Sequence, residues 1–508
     1  MSPLWALAAL ATERIIIRLP FLIAVADLAP NTARNVSYVA VAQVLVVLLN
    51  FVTLSVLANL LTTDEMGVIG IGLVFLNLLY TLQDFGIMTT IVQRDTRIEE
   101  CISTGIGLRW ISSTLLLAVI LISAPLLSGF FENDEVPLVL AVLTANLFAL
   151  IFAFSSQTLM LRNLRFQWLS IASIVQYVVL ACITIALAVV GFSYWSMIFG
   201  SVVGTVALVL VSNWLQKGSQ RPSLDVRLAA DMMGFGKHLL VNALMVFVIY
   251  NIDQIVIARA LGVASLGVYF IAVRFGRTLG EQIAITLNRV FLPTMSRMKN
   301  DIERLRESYA RSLRMISIAA VPVSVGIAAL SPLIVSVILG PEWEDAVVPL
   351  TILSFQGLMS AFIPPASSLL TAVGRPKTLS VQSTVQALVL VLAAYPIAVA
   401  YGLAGVSALA TGLSICVFVY LLHVTCSAVD ARPSAILRGM TPSLASGTVM
   451  FVVVYFAANT VPTELPYLVL LACVGAALYV VLLYAMSGGR DLRDALTLAR
   501  SMISGKGA

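Results

Sequence analysis

Leu57-Ala58-Asn59-Leu60-Leu61-Thr62-Thr63-Asp64-Glu65-Met66-Gly67-Val68 is the stretch on which the fold turns. An apolar run ends in it, Thr62 to Glu65 turn the chain without a Lys or Arg, and a second apolar run begins. Two hundred residues further on, Ile257-Ala258-Arg259-Ala260-Leu261 and Leu266-Gly267-Val268 repeat the layout. An apolar run of roughly 20 residues crosses the ~30 Å hydrocarbon core of a bilayer as a helix. Two such runs joined by a short polar turn are a pair of membrane crossings, and their return points to an internal repeat.

The whole chain is built this way. Of its 508 residues, 60% are hydrophobic and 11% charged, against roughly 25% charged in soluble domains. Mean hydropathy is +1.01. So much apolar surface cannot be hidden in a soluble core, and most of it must face lipid. Apolar runs place spans near 36–60, 66–90, 103–128, 136–159, 169–190, 194–215, 238–260, 265–291, 310–339, 346–371, 379–400, 403–425, 439–459 and 466–486. The expected fold is an all-α polytopic membrane protein with about 14 transmembrane helices. Its divisions are an interfacial or disordered N-terminal segment (1–35), a first lobe of six spans (36–217), a linker and second lobe of six spans (218–430), a C-terminal helix pair (431–486) and a tail (487–508).

The connections test the count. Those after odd-numbered spans, such as Thr62-Thr63-Asp64-Glu65, Glu132-Asn133-Asp134-Glu135 and Gly340 to Asp345, contain no Lys or Arg. The even connections and both termini carry 23 of the 30 Lys and Arg residues, among them Arg94, Arg97, Arg162, Arg165, Arg304, Arg306 and Arg432. Positive charge is retained on the cytoplasmic side during insertion. The alternation predicts a cytoplasmic-membrane protein with both termini in the cytoplasm. The net charge of +5 is used for topology and does not argue for nucleic acid.

A second echo follows the first: Leu169-Ser170, Ser173 and Val175-Gln176 against Leu379-Ser380, Ser383 and Val385-Gln386. Six spans are an even number, so both copies insert in the same orientation. That gives two parallel bundles related by an axis along the membrane normal, with a cavity between them, an arrangement suited to alternating access.

Charges inside the spans are costly, at least ~2.5 to 3.5 kcal/mol at the bilayer centre. Arg274 and Arg277 lie roughly 13 and 18 Å into span 8 at 1.5 Å per residue. With Glu281 and Asn288 they follow i, i+3, i+7, i+14 spacing and form one polar stripe. A stripe of this kind must face protein or a cavity. One reading is a cationic cavity for an anionic substrate, since the guanidinium fork matches phosphate oxygens. Arg109 and Arg259, near the ends of their spans, are further candidates. The other reading is an Arg277–Glu281 pair that satisfies only itself. Asp84, Asp253 and Glu281 are candidates for coupling transport to H+ or Na+, because a carboxylate in a low-dielectric cavity is able to exchange a proton or ligate a cation. Asp253 also sits in a polar cluster, Asn251 to Gln254, that a packed hydrogen-bond network would explain. Pro322, Pro332 and Pro364-Pro365 mark bends.

No GxxxxGK[ST], GxSxG or HExxH occurs, so neither ATP hydrolysis nor another enzymatic activity is expected. The five cysteines lack CxxC spacing and the two histidines, His238 and His423, are far apart. No metal site and no cofactor is expected.

The residues resemble a family. Leu57 to Gly72 with Thr81-Leu82-Gln83-Asp84-Phe85-Gly86, Arg162-Asn163-Leu164-Arg165-Phe166, and above all Phe235-Gly236 through Asn251-Ile252-Asp253, Ala258 to Gly262, Leu266 to Tyr269, Ala272 and Arg274, closing at Pro293 to Ser296, are similar to the polysaccharide-unit flippases (Wzx-type) of the multidrug/oligosaccharidyl-lipid/polysaccharide superfamily. The resemblance covers about 36–430 and extends weakly to 486. One departure is Gly280-Glu281 in mid-span 8, where that family often has a proline; Glu281 is thus a feature of this sequence. The resemblance implies a flippase for polyprenyl-(pyro)phosphate-linked oligosaccharide units, with the lipid-linked sugar, membrane lipids and other polysaccharide-assembly proteins as partners. Two other classes fit the sequence less well: a cation-coupled exporter of small amphiphiles, and a non-transporting scaffold of glycan assembly.

Overall fold

The computed structural model describes residues 32–92, 94, 96–218, 221–284, 295, 301–489 and 493. Most of the N-terminal segment 1–35, Asn288, Arg289, most of Pro293 to Ser296 and nearly all of the tail lie outside the described residues. The helices are α1 (Thr32–Ala58), α2 (Thr63–Asp84), α3 (Ile87–Val92), α4 (Ile98–Ile122), α5 (Ala124–Phe131), α6 (Val136–Arg162), α7 (Phe166–Val190), α8 (Trp195–Leu215), α9 (Val226–Leu261), α10 (Val263–Ala272), α11 (Ile302–Ile334), α12 (Val347–Ala361), α13 (Ile363–Ala372), α14 (Pro376–Ala428), α15 (Pro433–Ala458) and α16 (Leu465–Ser487). No strand occurs among the described residues.

Among the described residues, twelve helical stretches are long and apolar enough to cross a membrane. One of them, α14, has 53 residues and is broken at Gly402, whose backbone (φ 60°, ψ −152°) is open to glycine alone. It counts as two spans, as the sequence expects. The helix from Val263 to residue 284 adds another, and the total agrees with fourteen. Three expected spans are interrupted. Span 2 breaks at Phe85-Gly86, both with positive φ. Span 3 breaks at Ser123, before Pro125, and span 10 at Phe362, before Pro364. Proline at the start of a new helix costs no hydrogen bond, so it marks the restart.

The turn that opened the sequence argument is set by a capping box. The Thr62 hydroxyl accepts from the Glu65 N–H, and the Glu65 carboxylate takes the Thr62 N–H at 2.8 Å. The connections then pair like with like. Residues in or beside the Lys/Arg-free connections meet one another: Ser193 bonds Glu65, Arg259 at the end of α9 bonds Glu132 at 2.6 Å, and Trp343 Nε1 donates to the Ala58 carbonyl at the end of α1 at 2.9 Å. Basic connections likewise meet one another: Arg94 with Asp231, Arg97 with Asp225, Arg306 with the Asp430 carbonyl. The bundle therefore has an acidic end and a basic end.

Helices α1–α8 pack mainly among themselves, as do α9–α16, and the two sets meet chiefly where α2 lies on α10 and α9. Glycine makes that seam possible. A Cβ on Gly67 would lie 2.0 Å from the Val263 carbonyl oxygen, and one on Gly267 would lie 2.0 Å from the Thr63 carbonyl oxygen. Gly67 and Gly267, and likewise Thr63 and Val263, are 200 residues apart, the offset of the sequence echo. A self-complementary contact of this form is what a twofold axis produces. Beyond the repeat, α15 and α16 pack on α11. Pro322 in α11 lacks the N–H that would bond the Ile318 carbonyl, and Tyr479 Oη of α16 donates to that carbonyl at 3.2 Å.

Candidate functional site

The polar residues of span 8 fall where α10 passes into a π-helical turn, Val273–Arg277. A π turn is wider than an α turn and rotates less per residue, so residues three apart no longer share a face. Gly276 and Gly280 let this segment lie directly on α12. A Cβ on Gly280 would come within 2.8 Å of the Gly357 backbone, and one on Gly357 within 2.6 Å of the Arg277 carbonyl. Small residues four apart are the usual means of such close approach between membrane helices.

The expected stripe is thereby split. Arg277 turns inward and is buried. Its Nη1 lies 3.4 Å from Asp253 Oδ2, its Nη2 donates to the Tyr250 carbonyl at 2.9 Å, and its Nε stands 3.7 Å from Glu281 Oε1. Asp253 in turn accepts from the Tyr269 hydroxyl at 2.9 Å and from the Gln254 N–H. Asp253 and Arg277 thus neutralise each other and tie α9 to α10. The self-satisfied arrangement weighed from sequence exists, with Asp253 as the main partner in place of Glu281.

Arg274 points elsewhere. Residues 266–273 and 275–277 are buried, yet Arg274 is exposed. Its guanidinium lies 5.0 Å from the Phe270 ring centre. It is within electrostatic reach of Tyr177 on α7, in the other half, and of Glu281. An arginine in mid-span that looks across to the opposite half faces the space between halves. Glu281 is half-buried, with the Ser360 hydroxyl against it.

The remaining candidates lie apart. Arg109 is buried, paired to Asp84 and stacked 4.3 Å over Phe154, all within the first half. Beside this pair Gln83 bonds Ser113 and the Leu147 carbonyl. Arg259 sits at the acidic end, held by Glu132 and near Phe130. Below this end lies a narrow apolar crevice, lined by residues such as Ile71, Phe131 and Ala258. The acidic end is closed.

Sequence reasoning did not find the glycines that seat span 8 on α12, although Gly276-x-x-x-Gly280 in an apolar run is a readable signal. It also missed Tyr80 and Tyr177, half-buried residues of α2 and α7. Tyr80 meets Thr205 and Tyr177 in the first half, and Tyr177 is the residue across from Arg274.

A multi-pass helical bundle of two sets of spans, closed at one end and holding an exposed cation at mid-depth, has the architecture of a membrane transporter. The chain belongs to the polysaccharide biosynthesis protein family, whose model matches residues 56–348, more than half of its length. It is similar to the lipopolysaccharide biosynthesis protein WzxC of Escherichia coli, 26% identical over 358 residues, covering 69% of this chain and 71% of WzxC. It is also similar to the succinoglycan biosynthesis transport protein ExoT of Rhizobium meliloti, at 24% over 491 residues and 93% and 96% of the two chains. Among solved structures it resembles the lipid II flippase MurJ in an inward closed conformation, with TM-score 0.71, 15% identity and coverage of 89% of this chain and 99% of that one. An inward-facing multidrug MATE transporter matches at TM-score 0.54 and 17% identity, over 82% and 99%. At these identities the structural likeness is one of fold.

Proposed function

We propose that the protein moves polyprenyl-(pyro)phosphate-linked oligosaccharide units across the cytoplasmic membrane by alternating access, with both termini and the basic end in the cytoplasm. The observation that carries this reading is Arg274, a mid-span cation exposed toward the opposite half and left free by the Asp253–Arg277 pairing. A charged head group crossing hydrocarbon unaided meets a prohibitive barrier, and a fixed guanidinium at mid-depth lowers it for phosphate. Arg277 serves the site by position, Arg259 by closing the acidic end, and Arg109 within the first half. Ion coupling, by H+ or Na+, would fall to Glu281, Asp253 or Asp84; each is within ion-pair range of an arginine, Glu281 at 3.7 Å from Arg277.

Complementation of a flippase-deficient strain tests the proposal. Wild-type protein is expected to clear lipid-linked sugars accumulated on the cytoplasmic face, and Arg274→Ala is expected to fail at equal expression. Full complementation by Arg274→Ala would refute the cationic site. Failure of the wild-type protein to change the lipid-linked pool, with glycan assembly restored, would point to a scaffold instead.

A further inference from the structure

The repeat that sets Gly67 against Gly267 equates Gly70 with Phe270 and Val74 with Arg274 in the turns that follow. There the likeness of the two halves ends. Phe270 is fully buried, and its ring lies on α2 at Gly70. A Cβ on Gly70 would stand 3.4 Å from each of the Cβ, Cγ and Cδ2 atoms of Phe270. Close by, Phe275 meets Phe51 of α1 with ring centres 4.2 Å apart. One half supplies a ring, and the other supplies the notch that receives it.

Arg274 follows Phe270 by four residues. Its guanidinium carbon stands 5.0 Å from the ring centre, inside the ~6 Å at which an aromatic face attracts a cation. Arg277 is held differently. Its partners are oxygen atoms, those of Asp253 and of the Tyr250 carbonyl. Such partners take up N–H donors, and a carboxylate also offsets the charge. A ring face does neither. It holds the guanidinium by the flat side, and the N–H donors in the guanidinium plane stay available to a ligand.

Holding the side chain also matters for affinity. Arginine has many rotamers, and an exposed arginine must be ordered when it binds. Ordering it beforehand strengthens binding without any new contact to the ligand. Phe270 is able to do this because its own ring is fixed within the main core.

We propose that Phe270 is a positioning residue for phosphate binding: its ring, seated on Gly70 of the opposite half, holds the Arg274 guanidinium in place and leaves its donors for the phosphate oxygens. The inference rests on the phosphate reading of Arg274. It assigns the two members of the pair separate tasks, charge and donors to Arg274, orientation to Phe270. The repeat mates Gly70 and Val74 supply neither, so the device exists in one half alone.

Binding of polyprenyl diphosphate to the purified full-length protein tests this, with mono-, di- and trifluorophenylalanine placed in turn at position 270. Fluorine draws electrons from the ring face and barely changes its size, so the packing on Gly70 is kept, and thermal melting checks that it is. Affinity is expected to fall stepwise with each added fluorine, by about two- to fivefold across the series, the range for a cation–π contact at an exposed site. Phe270→Leu, which keeps an apolar side chain and loses the ring, is expected to weaken binding by a similar factor. In an Arg274→Ala background the fluorine series is expected to be flat. If affinity stays constant along the series while Arg274→Ala weakens binding, Phe270 does not position the arginine, and the phosphate subsite stands without it. If affinity falls equally with and without Arg274, the ring acts through packing alone and the proposal fails. If Arg274→Ala binds the lipid as wild type does, the phosphate reading fails, and the positioning role with it.

Discussion

At the acidic end the two halves touch backbone to backbone, through Gly67 and Gly267. At mid-depth the same halves face each other through long polar side chains, Tyr177 on one side and Arg274 on the other. Glycine contacts leave no room for water or ligand and accept no added atom. Polar contacts at mid-membrane are costly unless something polar occupies the gap, as ligand or water. The difference separates a seam that closes the bundle from the region where the proposed substrate would be received.

The largest expected effect comes from forcing the seam apart. Gly267→Leu or Gly67→Leu puts a side chain into a carbonyl oxygen 2.0 Å away. We expect a loss of more than the ~1–3 kcal/mol typical of overpacking, seen as a large drop in melting temperature. Because the contact is reciprocal, the two variants should be equally damaging; a mild effect of either one would show that the seam is not a twofold contact.

Next in size is the contrast between neighbours. Asp253→Asn leaves buried Arg277 with only the more distant Glu281 as counter-charge, and up to about 3–5 kcal/mol of stability should be lost. Arg274→Ala removes an exposed side chain and should change stability by no more than about 0.5 kcal/mol while abolishing transport. Equal melting temperatures for the two variants would erase the distinction between a structural and a substrate-facing arginine.

A smaller effect is expected where the acidic end is latched. Arg259 and Glu132 are both substantially exposed, and such pairs contribute roughly 0.2–1 kcal/mol. Arg259→Ala should raise labelling of a cysteine placed at Ala258 by no more than about fivefold, with the difference shrinking at high salt.

The smallest concerns the basic end. Asp225 caps α9, accepting the Leu228 and Arg227 N–H groups, and pairs with Arg97. The Leu228 N–H foremost, with Arg227 and Arg97, holds its carboxyl below the usual range. A depressed folded pKa contributes stability above the ordinary carboxylate value and loses it as pH falls through the folded one. Proteolysis of the connection between α8 and α9 should accelerate below roughly pH 4. Asp225→Asn should cleave faster at neutral pH and lose part of that acid dependence; an unaltered pH profile would show that another group controls it.

Much of this was legible in the sequence because hydropathy and loop charge are local signals. The spans, the Gly402 break in α14 and the sorting of connections into two sets all follow from them. The 200-residue echo marked the glycines of the seam, though not their contact. The fate of the span 8 arginines was not legible. Periodicity at 3.6 residues puts Arg274 and Arg277 on one face, and the π turn that parts them arises where Gly276 and Gly280 settle on α12. Arg277 and Asp253 are 24 residues apart on different helices, a pairing that only the packing of α9 on α10 reveals.

The bond from Tyr479 to the carbonyl that Pro322 leaves open has a consequence for motion. A proline kink bends easily when its stranded carbonyl has no fixed partner. Here α16 staples it, so α11, α15 and α16 behave as one stiff plank. The symmetric core is thus ballasted on one side only. Under the proposed alternating access, rocking would belong to the lighter side, α1 to α8, swinging against a keel.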